Sequence, residues 1–186
     1  MESLRSLALD LDVPERTLRR AAGEGLVRGE RVSAHKFRTS VRQRDYLRRQ
    51  WPMLAQLRGL LRTEPNVSFA ALYGSQAAGT AGPGSDVDLV VELRRDEMAR
   101  LADLSGRLSR ALGRDVQTVR LADARSVPAL LVDVVEHGRV LVDREGIWER
   151  LVRDAPRLER WADEEISLED AVEALDLEPV QRRAPR

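Results

Sequence analysis

The stretch LYGSQAAGTAGPGSDVDLVV, Leu72 to Val91, restricts the fold more than any other part of the chain. An apolar run, Val67 to Tyr73, stops at Gly74-Ser75. A glycine-rich turn follows, and a second apolar run opens on Asp86-Val87-Asp88. Short apolar runs bounded by glycine read as buried strands, and the short link makes them neighbours in one sheet. The period of two puts Val87, Leu89 and Val91 on one face and Asp86 and Asp88 on the other, with Val90 continuing the acidic side. Gln76-Ala77-Ala78 can begin a short helix, so Gly74 and Ser75 present backbone N–H groups and a hydroxyl suited to a phosphate.

Two carboxylates aimed at one place repel each other unless a proton or a cation intervenes. Mg²⁺ resolves the conflict, because it takes one or two protein carboxylates and fills its octahedron with water and substrate phosphates. The loop lacks the Gly-Lys-Ser/Thr ending of a Walker loop, and no Gly-x-Gly-x-x-Gly opens a helix. The competing reading, a glycine-rich turn with two solvated aspartates, would suffice for an isolated Asp-x-Asp but not for one joined to a strand and a Gly-Ser turn.

Gly74-Ser75, ten intervening residues and Asp86-x-Asp88 together resemble the signature of the minimal nucleotidyltransferases of the polymerase-β-like superfamily, over about residues 63–145. The resemblance implies a small mixed sheet flanked by helices and transfer of a nucleoside monophosphate from ATP or another NTP with release of pyrophosphate. It assigns Gly74 and Ser75 to the triphosphate and Asp86 and Asp88 to Mg²⁺. Two departures stand out. Gln76 and Ala78 occupy positions where the family usually carries arginines. The third acid, which the family places on a later strand, has as its counterpart the segment DVQTVRL, where the preferred register puts Gln117 at the acid position. A glutamine offers an oxygen but no carboxylate base. Asp115, two residues away on the same strand face, takes that place if the strand slips or bulges.

The formal net charge is zero, but it divides unevenly: residues 1–62 hold 14 Arg/Lys and 7 Asp/Glu, and residues 63–186 hold 17 and 24. A basic first third suits a polyanion, and equally suits plain solvation of helices. SLRSLALDLDVPERTLRRAAGEGLVRGERVS reads as helix, turn, helix and small wing, with Asp12 and Glu15 as a capping box and the wing turning around Gly29. This resembles a winged helix-turn-helix with Pro14–Ala22 as recognition helix. It implies DNA contacts from Arg16, Arg19 and Arg20 and from the wing arginines Arg28 and Arg31. Such units also dock protein partners.

A connector follows with the apolar stripe Leu47, Trp51, Leu54, Leu57 and Leu61, which Pro52 is expected to kink. Past the central strands, Met98, Leu101, Leu104, Leu108 and Leu112 make one helix face. A helix is expected to end near His137-Gly138, with His137 as a cap favoured by the helix dipole. A strand Val140–Val142 follows, then a helix through GIWERLVRDAPRLERWADEE. A separate acidic helix is expected at SLEDAVEALDL, capped by Ser167 with Asp170, with Leu168, Ala171, Val172 and Leu175 on one face, before a disordered EPVQRRAPR. His35 has no assigned role.

The expected architecture is α+β, a mixed sheet flanked by helices behind a small N-terminal winged helix-turn-helix. Its expected boundaries are 1–35, a helical connector 36–62, a nucleotidyltransferase-like domain 63–145, and C-terminal helices and tail 146–186. The chain has no cysteine and no apolar run near twenty residues, and its N-terminus does not read as a signal peptide, so a cytoplasmic address without a membrane partner is expected. Two functions stay open. The first is Mg²⁺-dependent transfer of AMP to a macromolecular acceptor, as in antitoxin partners of HEPN-type toxins. The second is a DNA-binding regulator or inactive binding partner that keeps the transferase fold.

Overall fold

The computed structural model describes residues 2–33, 36–95 and 98–176, with side chains as far as residue 164. His35, the Ser167 cap, the apolar face beyond it and the last ten residues of the chain lie outside these limits for side-chain description. The N-terminal unit holds β1 (Glu2–Ser3), α1 (Leu4–Asp10), α2 (Glu15–Gly23), β2 (Glu30–Ser33) and β3 (Lys36–Thr39). The three strands form a small antiparallel sheet in the order β1-β3-β2. Leu4, Leu7, Ala8, Leu18, Ala21, Leu26 and Val27 form its buried side. Ser3 caps α1 by accepting the Ser6 N–H at 3.2 Å.

Two local expectations change. The capping residue of α2 is Pro14, which supplies no side-chain acceptor, while Asp12 adopts φ 51 in the turn. Aspartate tolerates that left-handed conformation better than most residues, so it serves the turn rather than the cap. The hairpin does not fold around Gly29. It pairs Glu30–Ser33 with Lys36–Thr39, carrying the unit past residue 35. Gly29 meets a different demand: a Cβ there would lie 2.3 Å from the Arg38 carbonyl oxygen.

A single helix, α3 (Val41–Thr63), follows without interruption at Pro52. Pro52 is on the exposed side, where water can satisfy the carbonyl that proline leaves unbonded. The expected stripe is buried throughout. Next come β4 (Val67–Tyr73), α4 (Gly74–Ala78), β5 (Val87–Leu93), α5 (Met98–Leu112), β6 (Val116–Arg120), α6 (Leu121–Ala124), α7 (Pro128–His137), β7 (Arg139–Asp143) and α8 (Ile147–Asp176). Met98, the first residue of α5, departs from the expected inward face and is 63% exposed. The backbone of α8 is continuous, with no break at Ser167.

Strands β4 to β7 form a mixed sheet in the order β6-β5-β4-β7. The β5–β6 pair is parallel and the other two pairs are antiparallel. Alternation along β4 and β5 divides the apolar side chains between two cores. Ala70, Leu72, Val87, Leu89 and Val91 pack with α3, α5 and the N-terminal unit. Phe69, Ala71 and Val90 pack with α6, α7 and α8. Asp88 shares the strand face of Val90, so it opens toward the α7 side at the end of the sheet. No described helix is long and apolar enough to cross a membrane.

Candidate nucleotide site

The site grows from one cross-strand row. Tyr73, the last residue of β4, is the register partner of Asp88 on β5, and Asp88 in turn is the partner of Gln117 on β6. The chain then turns sharply at Gly74, whose φ is +67, and a Cβ built there would lie 2.8 Å from Asp88 Oδ2. Both the dihedral and the close approach require glycine. The turn continues into α4, where Ser75 is partly exposed and its carbonyl gathers the N–H groups of Gly79, Thr80 and Ala81 at 2.9, 3.0 and 3.2 Å. That knot returns the glycine-rich loop toward β5. Gln76 is buried beneath it and donates Nε2 to the Ser85 carbonyl at 3.3 Å, while its Oε1 has no partner.

Asp86 and Asp88 come together beside this turn as expected. Burial first, then the charges of Asp86 and Asp133, push the Asp88 carboxyl above its usual range. Burial, followed by Asp88 and Asp133, likewise raises the Tyr73 phenol. Gln117 occupies the position facing the pair and donates Nε2 to Asp86 Oδ2 at 2.7 Å. Asp115 precedes β6 with an exposed side chain, and its carbonyl accepts the Val87 N–H at 2.9 Å. The sequence register that sets Gln117 beside the acids is therefore the one the strands adopt.

Among the described residues no three His, Cys, Asp or Glu side chains converge to hold a metal unaided. The donor set nevertheless fits Mg²⁺, which needs only one or two carboxylates when phosphate oxygens and water complete its shell. Asp86 and Asp88 supply hard oxygens from one strand face, and a cation between them would offset the burial and the Asp86 charge that raise the Asp88 carboxyl.

Sequence reasoning missed Asp133. It comes from α7, and its Oδ2 accepts the Gly74 N–H at 3.0 Å while its Oδ1 lies 3.1 Å from His137 Nδ1. The available signal was an acid inside the otherwise apolar PALLVDVV, where a charge needs a partner. His137 is thus engaged by a side chain of the site as well as standing at the end of α7.

The five arginines expected to meet DNA are not gathered at this site. Arg16, Arg19 and Arg20 are exposed on α2, with Arg19 bonded to Glu15 at 2.5 Å and Arg20 to Glu24 at 2.9 Å. Arg31 is exposed on β2. Arg28 departs from expectation: it is half-buried, donates to the Val135 carbonyl at 2.7 Å, and burial lowers its pKa. Its guanidinium thus reaches α7. Gly25 itself is tightly packed, since a Cβ there would meet Val140 and Trp148 at 3.1 Å.

A family model described as polymerase beta, nucleotidyltransferase, matches residues 55–146. No curated protein matches significantly. Among solved structures, a chain of a toxin–antitoxin crystal structure with AMP-PNP is 26% identical, with TM-score 0.53, over 64% of this chain and 97% of that one. A chain of a variant of the toxin–antitoxin MntA-HpeT is 27% identical, with TM-score 0.50, over 61% of this chain and 92% of that one. A chain from the complex of a tri-AMPylated Shewanella oneidensis HEPN toxin with its MNT antitoxin shares the fold at 24% identity and TM-score 0.51, over 66% and 98%. The strand register, the Gly74 turn, the acid pair and these likenesses agree: over residues 55–146 the chain carries a nucleotidyltransferase domain of the polymerase-β kind.

Proposed function

We propose that this protein binds an NTP with Mg²⁺ between the Gly74-Ser75 turn and the Asp86–Asp88 pair, and acts on a protein partner in the manner of an antitoxin. The observation that carries the reading is the row Tyr73–Asp88–Gln117 with Gly74 folded against Asp88. That row puts the Gly74-Ser75 turn beside two carboxylates, a donor set suited to Mg²⁺ carrying a phosphate. The likeness to a toxin–antitoxin structure containing AMP-PNP supports ATP as the nucleotide and a toxin as the protein partner.

In this reading Asp86 and Asp88 hold the metal, and Gly74 N and the Ser75 hydroxyl orient phosphate oxygens. Mg²⁺ would supply charge neutralisation of the triphosphate and polarisation of its phosphorus. Gln117 holds Asp86 in place through its amide. It carries no negative charge, so it leaves deprotonation of the acceptor to another group.

That same glutamine favours a second reading, in which the domain binds nucleotide and partner without transferring AMP. The exposed Arg16, Arg19, Arg20 and Arg31 would then serve DNA contact from the N-terminal unit, with Arg28 kept as a strut. ATP labelled on the α-phosphate, incubated with Mg²⁺, the protein and an HEPN-type toxin, separates the two. Label on the partner that disappears in Asp86→Asn supports transfer. Nucleotide binding without label supports the second reading.

A further inference from the structure

Asp133 lies on α7, outside the Gly-Ser and Asp-x-Asp pattern, yet it takes the amide that the nucleotide reading gives to a phosphate oxygen. Its Oδ2 accepts the Gly74 N–H at 3.0 Å. A carboxylate oxygen offers that amide the same acceptor chemistry and negative charge as a phosphate oxygen. Its charge also reaches Asp88 and Tyr73, raising both. The residues that follow Ser75 do not offset this, because α4 continues as Gln76-Ala77-Ala78 and Gln76 is buried with its Oε1 unpartnered. The turn thus carries an internal anion, and α4 supplies no cationic side chain of its own; the Arg139 guanidinium that reaches α4 bonds the Ala77 carbonyl at 3.3 Å, toward the other end of the helix from Gly74.

We propose that Asp133 is an internal competitor for the phosphate position: a nucleotide phosphate gains the Gly74 amide only by displacing this carboxylate. The inference rests on the nucleotide reading above. The displaced side chain has a second partner ready, since Oδ1 is 3.1 Å from His137 Nδ1 one helical turn along. The position of α7 is also tied to the N-terminal unit. Arg28 donates to the Val135 carbonyl at 2.7 Å and feels the charges of Glu136 and Asp133.

The test is calorimetric titration of the full chain with Mg²⁺ and AMP-PNP, using native protein, Asp133→Asn and Asp133→Ala. Asparagine keeps the size and an acceptor oxygen for Gly74 while removing the charge; alanine removes both. Displacement predicts that the Kd falls about tenfold in the asparagine variant, the scale of one lost charge repulsion at a partly solvated site. The alanine variant should bind more tightly than native as well. A metal ligand or a simple brace for the turn would give the opposite sign, so weaker binding in both variants overturns the proposal. Unchanged affinity in both variants overturns it too, and leaves the nucleotide reading standing if native protein binds. No binding by any of the three proteins removes the nucleotide reading and the competitor with it.

Discussion

Gln117 Nε2 lies 2.7 Å from Asp86 Oδ2, in the row of the sheet where Gln117 also faces Asp88. An ionised carboxylate only accepts, so the amide nitrogen must be the donor. The contact stabilises Asp86 without neutralising it.

Gln117→Asp replaces that hydrogen bond with a third negative charge. The variant should lose about 1 kcal/mol of stability without metal, from the lost bond and added repulsion. Mg²⁺ should restore it, seen as a larger metal-induced rise in Tm than native protein shows. Transfer of label to a partner should rise toward the roughly 10²–10⁴-fold that one general base contributes. An Asp115→Asn variant should leave transfer unchanged, because Asp115 is exposed ahead of β6.

Gly74→Ala tests the turn itself. The new Cβ would sit 2.8 Å from Asp88 Oδ2 on a backbone at φ +67. A cost of about 1–3 kcal/mol is expected in chemical denaturation, together with loss of nucleotide binding.

Asp88 gives a pH dependence. Its carboxyl is raised in the folded protein, chiefly by burial and then by Asp86 and Asp133. Ionised Asp88 therefore costs stability above the folded pKa. That cost fades as the pH falls through the raised value and is gone below the ordinary carboxylate range. Asp88→Asn should accordingly raise Tm by about 1–2 °C near neutral pH, with the gain shrinking as the solution is acidified. Mg²⁺ competes with the proton, so its affinity for the native protein should climb with pH across the same interval. Scanning calorimetry at several pH values checks the first statement, and metal titration the second.

The junction between the N-terminal unit and α3 depends on Glu24. This carboxylate accepts from the buried Arg58, from Arg62 at 3.0 Å and from Arg20 at 2.9 Å. Glu24→Ala leaves the buried Arg58 guanidinium without its partly exposed anion, a loss of about 1–3 kcal/mol. Denaturant unfolding should show that loss, and limited proteolysis should cut near Gly23 faster than in native protein.

The central strands were legible because alternation and glycine speak directly: β4 spans Val67–Tyr73, and Asp88 faces away from Val87 and Leu89 as the period of two requires. The place of Gln117 followed from one strand register. The inward turn of Arg28 and the reach of Asp133 to Gly74 were not legible, since each depends on how separate elements pack. Pro52 misled for a related reason. It sits inside a continuous helix, where packing of the apolar face outweighs one missing hydrogen bond.

The most direct measurement is calorimetric titration of Mg²⁺ with AMP-PNP into native protein and into Asp88→Ala. Native protein should bind saturably and only with Mg²⁺. The variant should lose at least about tenfold in affinity while staying folded, because Asp88 lies at the open end of the sheet. Equal binding by the two proteins, or none by native protein at millimolar nucleotide, would overturn the Asp86–Asp88 metal site.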